Sequence, residues 1–137
     1  LWHAGDIGGG LELAEELASF KPLVAVCGNI DDRRLLDAAP LFQYFEREGL
    51  KILMTHIGGY PGRYNPEARR RIDELHPDIF VCGHSHILKV MNDKSRGMMV
   101  INPGAAGKFG FHLVRTALRF RIEGGQLKDM EVGEWTK

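Results

Sequence analysis

With 137 residues, 44% of them hydrophobic, the chain has material for one domain around a single core. Eighteen basic and eighteen acidic side chains cancel, so there is no general positive field for nucleic acid and no basic face for an anionic membrane. No apolar run nears the ~20 residues a bilayer requires, and no charged stretch leads into an apolar signal core, so a cytoplasmic location is expected.

The chain opens on Leu1, already inside a strand-like run, Leu1-Trp2-His3-Ala4, that breaks at Gly5-Asp6. That opening leads us to expect further residues upstream. Ile7-Gly8-Gly9-Gly10 reads as a loop, and Leu13, Leu17 and Phe20 at i, i+4, i+7, opposite Glu12, Glu15 and Glu16, predict an amphipathic helix stopped by Lys21-Pro22. Leu23 to Cys27 is the next strand and ends at Gly28-Asn29-Ile30-Asp31. Asp31 or Asp32 is placed to cap a short helix through Leu35 and Leu36 that ends before Pro40. Phe42 to Arg47 and Leu50 to Met54 flank Glu48-Gly49, a β-hairpin whose second strand delivers Thr55-His56.

Residues 57–64 are too rich in glycine and proline for regular structure and predict a surface loop. Asn65 as N-cap and Pro66 at the first helical position start a helix with Ala68, Ile72 and Leu75 inward, and His76-Pro77 ends it. Ile79 to Cys82 forms a buried strand before Gly83-His84-Ser85-His86. Strands over 87–91 and 98–104 follow, around a turn at 92–97. Leu118, Phe120 and Ile122 alternate with charged residues, Gly124-Gly125 turns the chain, and Leu127 to Val132 returns: a terminal hairpin with one wet face. The expected fold class is therefore α/β, a layered αββα sandwich with two mixed β-sheets and a C-terminal β-hairpin, spanning 1–137 as a single domain. Cys27 and Cys82 both end interior strands and read as buried packing thiols, not a disulfide framework.

Asp6, Asn29, His56, His84 and His86 share one property: each follows an apolar strand at or near glycine, where the carboxyl ends of strands in an open α/β sheet form a ligand crevice. Imidazole with carboxylate or amide oxygen suits divalent transition metals, and a carboxylate can bridge two ions ~3.5–4 Å apart. With Asp6 as the bridge, one ion gains Asp6, Asn29, His56 and His84, while a second has only Asp6 and His86. A His-x-His pair also occurs in amidohydrolase barrels, but those need ~250 residues to close eight strands.

In their order and approximate spacing, Gly5-Asp6, Gly28-Asn29-Ile30-Asp31, Thr55-His56 and Gly83-His84-Ser85-His86 resemble the motifs of the calcineurin-like metallophosphoesterases. Asn102-Pro103-Gly104 resembles the small phosphodiesterase branch that also contains the retromer subunit Vps29. The resemblance implies an upstream strand ending in Asp-x-His, which would supply the missing ligands of the second ion. We expect some thirty such residues to precede Leu1, in preference to a degenerate site or a strand lent by a neighbouring chain, and we expect the chain alone to hold one ion at best. It further implies two divalent ions (Mn first; Fe, Zn or Ni as others) and hydrolysis of a small-molecule phosphate ester, a diester first, by a metal-bridging hydroxide. Many relatives carry a histidine where this chain has Ile30, which can neither donate a proton nor bind a phosphoryl oxygen.

For Asp31, helix capping or ligand orientation outweighs a role as the catalytic acid. Arg63 and Tyr64, in the loop after His56, are candidates for substrate contact. His3 is expected beside the site as a supporting residue, His76 at a helix end, His112 on a strand surface, and Arg69-Arg70-Arg71 on a solvated helix face. The alternative function is an interaction module on the same scaffold, which an exposed apolar patch would favour. Nothing in the sequence fixes a homo-oligomeric state.

Overall fold

The computed structural model describes residues 1–137. Nine strands and two α-helices follow in order: β1 (Trp2–His3), α1 (Gly10–Phe20), β2 (Val24–Ala25), a 3-10 turn (Arg33–Leu35), β3 (Phe42–Arg47), β4 (Leu50–Thr55), α2 (Pro66–Leu75), β5 (Ile79–Val81), β6 (Leu88–Asp93), β7 (Met98–Pro103), β8 (Val114–Glu123) and β9 (Gln126–Thr136). The main sheet has the order β3-β4-β5-β7-β6 and is mixed: β5 lies parallel to β4 and β7, while β3 and β6 pair antiparallel at the edges. The second layer consists of two separate ladders, the parallel pair β1-β2 and the antiparallel hairpin β8-β9. No helix is long and apolar enough to cross a membrane.

The alternation of side chains along β4, β5 and β7 builds two interiors from one sheet. Leu53, Phe80, Cys82 and Val100 face Ala68 and Ile72 of α2, all buried. Ile52, Met54, Ile79, Val81 and Ile101 face the other way, against Val26, Trp2 and the inner side of the hairpin through Leu118, Phe120 and Ile122. The Trp2 ring meets Phe45 and Phe120 edge-on at 5.2 and 5.5 Å, which locks the small pair β1-β2 between the main sheet and the hairpin. α1 covers the outside of that pair through Ala14, against Ile7, Ala25, Leu35 and Ala39. The layering is thus helix, sheet, strands, helix.

α2 starts as its sequence predicts: the Asn65 side chain accepts from the amides of Glu67 and Ala68, with Pro66 at the first helical position. Its arginines lie on the wet side, where Arg70 and Arg71 pair with Glu67. α1 departs from the expected face. Phe20 is 72% exposed and the buried residue is Ala14, because two strands of two residues each give the helix too little surface to cover its last turn.

Tyr64 is a structural residue. Its hydroxyl donates to Asp93 Oδ2 at 2.7 Å, and Ser95 and Arg96 donate to the same carboxylate at 2.7 and 3.1 Å. Arg96 also reaches Asp73 on α2 at 2.9 Å, so this network anchors the end of the loop carrying Arg63. Burial would push the Asp93 carboxyl up, but the bonds from Ser95, Tyr64 and Arg96 outweigh it and hold the group at about 2. Its folded value lies below the ~3.9 of an unfolded aspartate, so its contribution is complete above that pH and is lost as pH falls toward the folded value. Asp93→Asn should lower the melting temperature at neutral pH and flatten its decline between pH ~4 and ~2, measured by thermal denaturation across that range. An unchanged acid slope would remove this network from the account.

Candidate metal centre

Four chain segments end at one place. β1 runs into Ala4-Gly5-Asp6, β2 into Gly28-Asn29, β4 into His56 and β5 into Gly83-His84, so each candidate follows the carboxyl end of a strand in one of two parallel pairs. Two hydrogen bonds tie these ends, the first within the main sheet and the second across the layers. The amide of Gly83 donates to the carbonyl of His56 at 2.9 Å, and His56 Nδ1–H donates to the carbonyl of Ala4 at 2.7 Å.

That second bond sets the chemistry of His56, which is 4% exposed. A carbonyl can only accept, so Nδ1 carries a proton, and if the ring carries no other, Nε2 is a lone pair. It points at Asn29 Oδ1, 2.9 Å away, and Asp6 Oδ2, 3.2 Å away. With a lone pair on Nε2 three acceptors converge, an arrangement that a cation or an added proton resolves. His84 Nδ1 lies 3.0 Å from the same Asn29 oxygen, and its ring stands edge-on to His56 with centroids 5.2 Å apart. Two ligands each ~2.1 Å from one ion and at right angles are about 3 Å apart, so these separations match edges of a single coordination shell. The donor set therefore fits a divalent transition metal. No three His, Cys, Asp or Glu side chains close on a common point by themselves; the Asn29 amide is the joint.

The backbone is shaped to permit this. Asp6, His84 and His86 all adopt left-handed backbone angles, with φ of 57°, 68° and 61°, at a cost of roughly 1–2 kcal/mol each for residues bearing a Cβ. The other such residues, Glu48, His76 and Asp129, lie at a hairpin turn, a helix C-cap and a bulge, where this geometry is ordinary. A side chain on Gly5 would come within 2.6 Å of His56 Nδ1, and one on Gly28 would strike both the carboxylate and the amide of Asp6. Asp31 uses both carboxylate oxygens on backbone, accepting from Gly28 N at 2.8 Å and Gly8 N at 3.3 Å, and so clamps the Asp6 and Asn29 loops together. Asp32 is the N-cap of the short turn. His3 Nδ1 accepts from Gly5 N at 3.2 Å, and burial pushes this imidazole below its ordinary value.

His86 stands apart from the other four. Its ring packs on His112 with centroids 4.9 Å apart and Nδ1 to Nδ1 at 3.1 Å. His112 does not lie on a strand surface, as its sequence position suggests; it is a half-buried residue of the exposed loop before β8, because that strand begins only at Val114. A cleft of about 400 Å³ opens beside His84, lined by Tyr60, Arg63, Ser85, Lys89 and Asn102 among others. Arg63 therefore lines the same cleft as His84. Lys89 carries no signal of its own in the sequence, and Asn102 is marked there only as part of Asn102-Pro103-Gly104. Asn102 donates to Gly83 O and to Ser85 Oγ, both at 3.0 Å, and accepts from Gly104 N at 3.0 Å, so the Asn-Pro-Gly motif braces the His-x-His loop.

Helices outside a mixed sheet and a second layer of strands place the chain among α/β sandwich proteins. Residues 1–125 match the calcineurin-like phosphoesterase superfamily domain, and the chain belongs to that family. No curated protein matches the sequence. Among solved structures, a single mutant of Vps29 from Entamoeba histolytica is 21% identical, with 98% of this chain and 81% of that one covered and a TM-score of 0.71. Wild-type Vps29 from the same organism, complexed with zinc, is 20% identical over 93% and 76% with a TM-score of 0.66. An archaeal phosphodiesterase is 22% identical over 96% and 81% with a TM-score of 0.70. At these identities the likeness is one of fold.

Gly28→Ala tests the cradle: the added methyl should displace Asp6, and Mn²⁺ or Zn²⁺ retained after dialysis should fall below about a tenth of the wild-type content, with a stability loss of roughly 1–3 kcal/mol. Wild-type metal content in the variant would mean that the Asp6 position is not needed for binding.

Proposed function

We propose that this chain is a metal-dependent phosphoesterase acting on phosphodiesters, with its chemistry centred on Asp6, Asn29, His56 and His84. The convergence of His56 Nε2, Asn29 Oδ1 and Asp6 Oδ2, with His56 Nδ1 committed to a carbonyl, carries this reading. Asp6, Asn29, His56 and His84 would hold one ion. His86, with Asp6 as the shared carboxylate, would face a second. Manganese heads the choices for a donor set with carboxylate and amide oxygens, ahead of iron, zinc or nickel, and the zinc complex of the Vps29 relative supports a divalent ion of this type. Divalent ions in such a site acidify water and neutralise charge that builds on phosphoryl oxygens.

The remaining work falls to the chain. Arg63 and Lys89 supply positive charge along the cleft beside His84, where a phosphate ester's oxygens would lie. Ile30, 66% exposed next to Asn29, offers no proton to a departing alcohol, so protonation comes from water, from another residue or not at all, and esters with acidic leaving groups should be favoured. Asp31, with both oxygens engaged by amides, positions the loops and does not act as the acid. A small-molecule ester in the cytoplasm is the proposed setting.

Hydrolysis of bis-p-nitrophenyl phosphate with added Mn²⁺ tests this reading. Turnover should need the metal, fall at least about a hundredfold in His84→Ala and Asp6→Asn, and persist with a raised KM in Arg63→Ala. Equal rates with and without metal, or in the wild type and His84→Ala, would overturn it. One observation favours a second reading, an interaction module: Phe109, Phe111 and Leu113 are 94%, 104% and 87% exposed on one loop.

A further inference from the structure

His112 has no part in the site described above, yet it makes the one hydrogen bond recorded for the His86 ring. Its Nε2 lies 2.9 Å from the carbonyl of Gly107, which can only accept, so Nε2 of His112 carries the proton and its Nδ1 is a lone pair. That lone pair faces His86 Nδ1 at 3.1 Å. A bond between the two requires His86 to carry its proton on Nδ1, which leaves His86 Nε2 bare.

We propose that His112 is a positioning residue that fixes His86 as its Nδ1–H tautomer, with Nε2 as the free donor aimed away from the loop. The loop bearing His112 is fastened for this purpose. Lys137 Nζ donates to Gly110 O at 2.6 Å and to His112 O at 3.0 Å, Arg115 Nε donates to Ala106 O at 2.6 Å, and Thr116 N donates to Ala105 O at 2.8 Å. Gly110 sits at φ 132° directly over the pair, and a side chain there would collide with the His86 ring. A chain from carbonyl to imidazole to ligating imidazole fixes ring orientation and raises ligand basicity, typically worth 10- to 100-fold in metal affinity. The tautomer is a property of the metal-free protein; its use as a ligand rests on the metal reading above.

Long-range ¹H–¹⁵N correlation spectra of the metal-free chain, recorded well above the ordinary histidine titration range, read the tautomer directly, with His86 assigned by its loss in His86→Gln. Wild type should show His86 protonated on Nδ1. His112→Leu, which removes the acceptor, should shift His86 toward the Nε2–H form, and His112→Asn, which keeps an oxygen acceptor near the position of Nδ1, should restore the wild-type pattern. In calorimetric titration with Mn²⁺, a binding event that uses Asp6 and His86 should be about tenfold weaker in His112→Leu and recovered in His112→Asn, while the event that uses Asp6, Asn29, His56 and His84 should be unchanged in both. His86 in the Nε2–H form in wild type, or a tautomer indifferent to His112→Leu, would overturn the proposal. The expected tautomers with no Mn²⁺ binding in wild type would uphold the orientation and overturn the metal reading instead.

Discussion

The hydrogen bond from His56 Nδ1 to the carbonyl of Ala4 is the constraint on which the site depends. It joins the end of β4 in the main sheet to the end of β1 in the small pair, and in doing so decides which nitrogen of a buried imidazole is bare. With Nε2 committed to the lone-pair side, Asp6 and Asn29 press acceptors against an acceptor, and the site is unsatisfied without a cation or an added proton. A bond between layers thus becomes a statement about ligand chemistry. The same logic recurs one step outward, where the carbonyl of Gly107 sets the protonation of His112, and His112 sets that of His86.

Packing makes the convergence affordable in geometric terms. The main sheet carries its residues on two faces, and the side turned away from α2 draws in β1-β2 and the hairpin through Trp2, Phe45 and Phe120. This brings the carboxyl ends of four strands to one edge of the sandwich. Gly5 and Gly28 let backbone and carboxylate approach closely there, where any Cβ would collide. Left-handed Asp6, His84 and His86 turn their side chains in directions that an extended continuation of their strands would not. Local strain at these residues is held by the surrounding ladder and by Asp31 and Asn102, whose polar atoms are spent on loop backbone and on Ser85.

Much of this was legible in the sequence, for identifiable reasons. Apolar runs ending at glycine marked β4 and β5 and the loops after them, because fully buried strands need continuous hydrophobic sequence and their tips need conformational freedom. Asn65-Pro66 announced α2 through capping chemistry alone. The face of α1 was misread at Phe20, since periodicity reports an amphipathic stripe but not how much surface the opposing strands offer. The His86–His112 pair was invisible for another reason: 26 residues separate the two, and only the return of the chain into β8 brings them together. Lys89 likewise reads as a strand residue until the cleft it lines is known.

The central claim is that groups from four separate loops close on one cation, and X-ray absorption at the zinc edge on the Zn²⁺-loaded chain measures that directly. The account predicts a first shell of nitrogen and oxygen at ~2.0–2.1 Å with the multiple scattering of two imidazoles, reduced to one in His84→Ala. A shell containing sulfur at ~2.3 Å, or one of oxygen alone without imidazole scattering, would contradict it.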